Sequence, residues 1–502
     1  MSTELTDGYR YNGEDPNAVS DISGTLPEQS LRNIQWALDK FHALRANYCL
    51  SRDYYNGAHR LAFASEKLSS AFGKLFKAFA DNLTPTIVET VKDRLRLTGF
   101  HIVGEDDDNK STVQSRMDEI WRRNRLRVRA NQVHLDALID GDAYVIIWPD
   151  PTTPDATPIF FPNRADKIVI DYDEEQPGYI TRAARAWVDG EKRYRLTLYF
   201  RDRIEKYVTR NKMEGLPDRA SYFIRFNVAG ESWPLPNPYD KVPVFHFNNR
   251  GSIGGLGRSE LDEAIPVQNA LNKSIADMMV ASEFFGVPQR WATGIEDMSV
   301  ADLRKQYALF NGGVWGTVNK DVKFGEFAAG DISKYIEVSE TFRKEIARVS
   351  RTPLHYFSLQ GTWPSGEALK TAEAPLVKKA EDRIDSFGAV WGDAMRFALQ
   401  ISGQGDFEPE PKWDSVETRD ADAEVNRAAV KHESVGVPEQ QLWIELGYTK
   451  KQIEQMTKWA EEEAERSMQR QQDLAATRGT LVAAKRKGRS KDQPIDGGRV
   501  VQ

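Results

Sequence analysis

The order of amphipathic segments in the second half of the chain constrains its fold more than any other feature. Residues 258–285 and 332–350 have helical spacing and flank a short stretch rich in tryptophan, glycine and strand formers; a third amphipathic run, 365–401, follows a loop centred on 355–364. In the first run Leu261, Ile265, Leu271, Ile275 and Met278 or Met279 form a stripe opposite Asn269, Asn272, Lys273 and Asp277. In the return run Tyr335, Val338, Phe342, Ile346 and Val349 recur about every 3.5 residues, the interval that suits a neighbouring helix. At ~1.5 Å per residue this run is about 28 Å long. Levers of that kind must bury their stripes, most economically against copies of themselves.

Local signals place the ends of these segments. Ser259 is read as the cap of the first run, with Asp262 on the positive end of its dipole, and Pro266 as a kink or a first-turn residue. The stretch between the helices reads as strand 289–293, short helix 299–310 and strands around 314–316 and 322–324. Ser365 caps the long run and Pro375 predicts a bend in it. Its apolar positions, among them Leu376, Phe387, Trp391, Met395 and Phe397, predict burial on two sides.

Upstream, residues 1–27 lack periodicity and read as disordered. Pro27 and Glu28 open a helix carrying Leu31, Ile34, Leu38, Phe41, Leu44 and Tyr48, which ends at the turn 55–57. Helices are predicted over 66–82, over 84–97 with Thr84 as cap, and over 112–138. From Ala143 the texture changes to short strands near 144–148, 167–172, 179–188, 194–200, 203–208, 221–227 and 242–247. An antiparallel sheet set into a helical framework is an α+β domain. A Gly/Pro-rich linker, 403–411, precedes helices over 416–432, 438–446 and 450–476, then the basic stretch 485–491, read first as a solvated end.

Composition removes several function classes. The 502 residues suffice for two to four domains of roughly 150 residues each. A net charge of −7 argues against a tight sequence-independent DNA binder, yet permits a channel lining that does not grip. The one cysteine, Cys49, excludes an internal disulfide and a thiolate zinc cage, and reads as a small buried apolar residue. No secretory h-region or membrane span is evident, which predicts a soluble protein made in a reducing cytoplasm. The segment 251–259 fails both the Walker and the dinucleotide glycine spacings and reads as a flexible hinge. Asp140 with Asp142, and Asp171 with Asp173, sit at turns and strand ends rather than in a metal motif. No catalytic motif, cofactor site or metal site stands out. A nucleic-acid enzyme and an oligomeric scaffold or adaptor remain as competing classes.

Several short runs bear a resemblance. They are Gly257-Arg258-Ser259-Glu260-Leu261, running into Ile265-Pro266-Val267-Gln268-Asn269-Ala270-Leu271-Asn272-Lys273, and Pro364-Ser365-Gly366-Glu367-Ala368-Leu369-Lys370. Residues 138–145 and Leu446-Gly447-Tyr448-Thr449 add to them. With this order of elements over about 28–475, the chain resembles the portal, or head–tail connector, proteins of tailed bacteriophages, particularly the long-tailed siphophage type.

That resemblance implies a ring of about twelve subunits at one capsid vertex, a channel for packaging and ejecting double-stranded DNA. It implies a wing (28–257 with 366–402), a helical stem (258–285 and 332–350), a small α/β clip (286–331), a tunnel loop (351–365), a helical crown (403–478) and a flexible basic tail (479–502). The partners implied are sister subunits, DNA, the terminase motor, head-completion or adaptor proteins, and capsid and scaffolding proteins, with no membrane. The location implied is the virion, after synthesis in the bacterial cytoplasm.

On this basis the channel residues are Lys334, Lys344 and Arg348 of the stem and His355, Tyr356, Gln360 and Trp363 of the loop. The loop residues either meet DNA or pack at the loop base, and Lys344 and Arg348 meet phosphates or form intersubunit ion pairs. Tyr335, Val338, Phe342, Ile346, Leu271 and Ile275 are expected at the subunit interface. Arg290, Trp291 and Trp315 are expected in the clip, the tryptophans as core or interface.

Overall fold

The computed structural model describes residues 26–59, 81–102, 108–153, 156–228, 230–286, 290–293, 321, 323–326, 331–357, 365–417, 429–446, 448 and 452–470. The expected disorder of 1–25, the helices near 66–80 and 299–310, the strand at Trp315, the loop residues Gln360 and Trp363, and the basic tail lie outside them. The chain divides into two compact units, Met1–Glu417 and Thr418–Gln502.

In the first unit α1 (Glu28–Tyr55) starts after Pro27 and stops at the Asn56–Gly57 turn, where Gly57 takes φ +66°. It buries Ile34, Ala37, Leu38 and Phe41 at helical spacing. Cys49 is exposed rather than buried, because it falls one position off the stripe that Tyr48 occupies. Next come α2 (Thr84–Lys92), β1 (Leu97–Ile102), α3 (Asp108–Arg123) and α4 (Leu126–Asp140). Thr84 is the first helical residue, not the cap; its hydroxyl donates to the Tyr54 carbonyl at 2.9 Å.

The predicted helix 112–138 is two helices. Asn124 breaks it by donating to the Ile120 and Pro158 carbonyls and accepting from the Phe160 N–H, which turns Arg125 into the left-handed region. The predicted helix 84–97 ends early, and β1 pairs antiparallel with β13 (Pro409–Trp413), which starts inside the expected linker 403–411. Each strand of that pair is an edge, so prolines missing an N–H are tolerated.

Between these lie β2 (Asp142–Pro149), β3 (Pro158–Arg164), β4 (Ile168–Tyr172), β5 (Ile180–Val188), β6 (Tyr194–Tyr199), β7 (Arg203–Thr209), β8 (Phe223–Arg225), β9 (Leu235–Pro236) and β10 (Val244–Asn248). They form a three-stranded sheet, β10-β2-β3, and a second sheet, β4-β5-β6-β7-β8 with β9 on β7; every pairing is antiparallel. β2 alternates between two cores. Ala143, Val145 and Ile147 join the helical core of α2, α4 and the long helix, whereas Tyr144 and Ile146 join the core between the sheets. α1 covers the second sheet through Leu196, Leu198, Tyr207 and Phe223. The prediction omitted β3, an edge strand whose Pro158 and Pro162 disguise it.

The second half begins with α5 (Ala264–Gly286), which starts later than predicted and has Pro266 in its first turn. β11 (Arg290–Thr293) pairs with β12 (Lys323–Glu326). α6 (Ser333–Ser350) and α7 (Gly366–Ile401) follow; Ser365 caps α7 by accepting from the Ala368 N–H, and Pro375 lies within the helix. From Leu376 onward α7 is buried at Phe387, Trp391, Met395 and Phe397, while its first turns are largely exposed. In the second unit, residues 429–435, Glu439–Glu445 and 452–470 are helical. Among the described residues, no helix is long and apolar enough to cross a membrane.

Candidate functional site

The lever formed by α5 and α6 is rooted in the body by polar side chains. Ser274 meets Ser339 at 3.3 Å between hydroxyls, and Leu271 and Ile346 enter the same helical core, so the two helices run antiparallel. The polar face of α5 is committed: Gln268 donates to the Asp81 carbonyl at 2.6 Å and accepts from the Leu83 N–H. Asn269 accepts from the Tyr54 hydroxyl at 2.7 Å, and Asn272 contacts His59 Nε2 at 2.9 Å. Arg343 of α6 reaches Asp81 at 2.8 Å. Asn269 and Asn272, which the sequence sets opposite the apolar stripe, therefore fasten α5 to the end of α1, whereas Lys273 and Asp277 pair with each other.

The lever's entry is locked, not hinged. Gly257 N–H donates to Asp142 Oδ1 at 2.7 Å and Arg258 N–H to the Asn249 carbonyl. A β-carbon on Gly257 would lie 1.9 Å from the Gly141 carbonyl oxygen, so only glycine fits. Asp142 also takes hydrogen bonds from His246 at 2.7 Å and the Tyr48 hydroxyl at 2.9 Å. Ser259, expected to cap the helix, instead donates to the Ile139 carbonyl and accepts from the Leu261 N–H within a turn.

Next to it Glu260 is buried between Lys379 (2.5 Å) and Arg383 (2.9 Å) of α7. Arg383 also bonds Asn249, and Lys379 donates to the Ser350 carbonyl at the end of α6. Burial alone would push the Glu260 carboxyl up; the two cations outweigh it and hold it at about 2. Four segments thus meet on one carboxylate. Nothing in the sequence pattern signals this, because Arg383 lies 123 positions away.

The expected site residues divide. Leu271 and Ile346 are fully buried in the chain's own core, and Phe342 and Ile275 pack against it. Tyr335 is half-buried and Val338 is 44% exposed, leaving that end of the seam open. Lys334 pairs with Glu337 and Arg348 with Glu345, and Lys344 is exposed. His355 and Tyr356 lie in a turn, Leu354–Tyr356, with His355 3.6 Å from Glu373 and the Tyr356 hydroxyl donating to Glu373 at 3.2 Å. Arg94 joins the same carboxylate at 3.2 Å. Trp291 is 38% exposed opposite Gly325, where a β-carbon would strike its ring. Arg290 lies on β11 opposite Glu326.

The carboxylates considered for a metal are otherwise engaged. Asp140 accepts a two-pronged bond from Arg52, and Asp171 one from Arg182. Among the described residues no group of three or more His, Cys, Asp or Glu could hold a metal ion.

An α+β body bears a rigidly rooted helical pair whose polar groups are spent on anchoring. Residues 36–469 match the family described as phage portal protein, SPP1 Gp6-like, and the chain belongs to that family. It is 26% identical to the portal protein of Mycobacterium phage L5 over 75% of this chain and 78% of that one. It is 27% identical to the portal protein of Mycobacterium phage D29, with the same shares covered. A chain of the neck of an empty GTA particle is similar at 12% identity and a TM-score of 0.46, over 77% of this chain and 95% of that one.

Proposed function

We propose that this portal protein closes into a ring of about twelve subunits at one capsid vertex and forms the channel for packaging and ejecting double-stranded DNA. Its role is structural rather than enzymatic. The observation that carries the ring is the seam of α6: buried at Ile346, and open at Val338. An apolar edge on an anchored lever needs a neighbour, and head-to-tail contacts between unlike faces close when the rotation closes.

Within this reading α5 and α6 are the stem, 286–331 the clip, and 351–365 the tunnel loop. The wing is 28–257 with 366–402. Residues 403–417, first expected in the crown, go with the wing because β13 pairs with β1, and the crown begins at 418. Lys334, Lys344 and Arg348 line a passage of mixed sign that does not grip DNA, with His355, Tyr356, Gln360 and Trp363 around the loop. The glutamate contacts of His355 and Tyr356 favour a place at the loop base for these two residues. The clip, with Arg290, Trp291 and Trp315, takes the terminase motor and later the head-completion proteins. Capsid and scaffolding proteins surround the ring, which is made in the bacterial cytoplasm and retained in the virion.

Replacing Trp363 with Ala tests the channel. Assembly should be unchanged while the fraction of DNA-filled heads falls in a complementation assay. Loss of assembly would make the loop structural instead.

A further inference from the structure

Two exposed surfaces of the first unit take no part in anchoring the lever, and they are opposite in character. The corner between α3 and α4 places five arginines within residues 122–129, in a chain of net charge −7. Arg123 and Arg129 are engaged with Thr157 and the Phe160 carbonyl. Arg125 and Arg127 are exposed, and among the described residues no carboxylate pairs with either. Val128, beside them, is 63% exposed. Arg125 holds φ +49°, a conformation that residues with a β-carbon rarely adopt, so the corner is fixed at the expense of backbone strain.

The second surface is a groove of about 400 Å³ lined by Lys40, Asp171, Asp173, Glu174, Ile253 and Leu256 among others. Ile253 is 82% exposed at its rim, and Glu174 and Glu175 are exposed beside it. This groove lies near the C-terminal end of α4: Asp142, just past that helix, bonds His246, which bonds Tyr172 of the groove wall. The arginine corner is at the other end of the same 15-residue helix, about 22 Å away along its axis.

We infer that the corner of one subunit, Arg125 and Arg127 around Val128, docks into the acidic, apolar-rimmed groove of the next copy of this chain. A head-to-tail contact needs two unlike, complementary faces held apart on one rigid body. Each face here has an exposed apolar group beside charge, basic at the corner and mainly acidic at the groove, where Lys40 is spent on Asp171 at 3.4 Å and Asp173, Glu174 and Glu175 supply the excess. A nucleic-acid surface would use the arginines but would call for neither Val128 nor a matched groove. The inference rests on the ring reading and supplies a lateral contact between wings.

The test uses the full chain, with sedimentation across a concentration series. The pair Arg125→Glu and Arg127→Glu, and separately Glu174→Arg and Glu175→Arg, should each raise the concentration for half-assembly about tenfold or more. The four changes together should restore it to within about threefold, which a merely misfolded variant cannot do. Wild-type assembly by either pair, or further loss in the combination, would overturn the contact. So would an arginine pair that assembles normally but loses duplex DNA in a mobility shift, which would assign the corner to nucleic acid. A wild-type chain that stays monomeric throughout would instead remove the ring reading, and this contact with it.

Discussion

Glu260 concentrates the most interaction on a single side chain. Its carboxylate neutralises Lys379 and Arg383 in a dry site, and those cations in turn hold Ser350 and Asn249. Glu260→Gln leaves two buried charges without a partner and should destabilise the chain by about 3–5 kcal/mol in chemical denaturation. Replacing all three charged residues with apolar ones of similar volume should cost less than the single change; a near-neutral single change would show that the cluster is not dry. His134 supplies a pH dependence. Its Nδ1–H donates to the Leu95 carbonyl and its Nε2 accepts from Trp391 at 2.8 Å, so the ring is held neutral. Burial lowers its pKa from 6.5 to about 4. Between those values the unfolded chain takes up a proton that the folded chain refuses. Stability is therefore full above pH 6.5 and falls as pH drops toward 4, by up to about 3 kcal/mol. His134→Phe should flatten that slope in melts between pH 7 and 4; an unchanged slope would assign the acid sensitivity elsewhere. Neither residue was legible in the sequence. Glu260, in a run with Asp262 and Glu263, looks like the acidic start of a helix, and a His on a helix gives no sign that a tryptophan far along the chain will fix its tautomer.

At the scale of elements, periodicity was informative where one face of a segment is buried, and misleading where a distant partner decides. α1, β2 and α7 follow their apolar spacing, because each packs a continuous stripe or two alternating faces. The break at Asn124 carries neither glycine nor proline, so only its bonds to Pro158 and Phe160 reveal it. The β1–β13 pair joins segments on either side of nearly the whole first unit, and Pro409 and Pro411 make one of them resemble a linker. On α6 the regular seam concealed a division of labour. Ile346 belongs to the chain's own core, so Ile346→Asp should lower stability by several kcal/mol, on the order of 3 or more, and prevent folding before assembly is reached. Val338→Asp should leave the melting temperature of the unassembled chain within a few degrees of wild type and still abolish assembly, because that side chain is open. Phe342→Asp should do some of each, since Phe342 packs on the core. Circular dichroism melts combined with sedimentation distinguish these outcomes, and normal assembly of Val338→Asp would remove the seam from the interface.

At the scale of the molecule, a net charge of −7 argues against a tight sequence-independent DNA binder and permits a channel that does not grip. Two features remain exposed in the single chain: Val338 of α6, and the arginine corner and the groove at opposite ends of α4. Membership of the portal family and the open Val338 on an anchored lever support the proposed assembly, in which sister chains stand side by side about an open axis. Electron microscopy of the purified full-length protein tests this most directly. Closed rings with a central hole, of about twelve subunits by rotational averaging, are the predicted result. A monodisperse single chain at high concentration would contradict it.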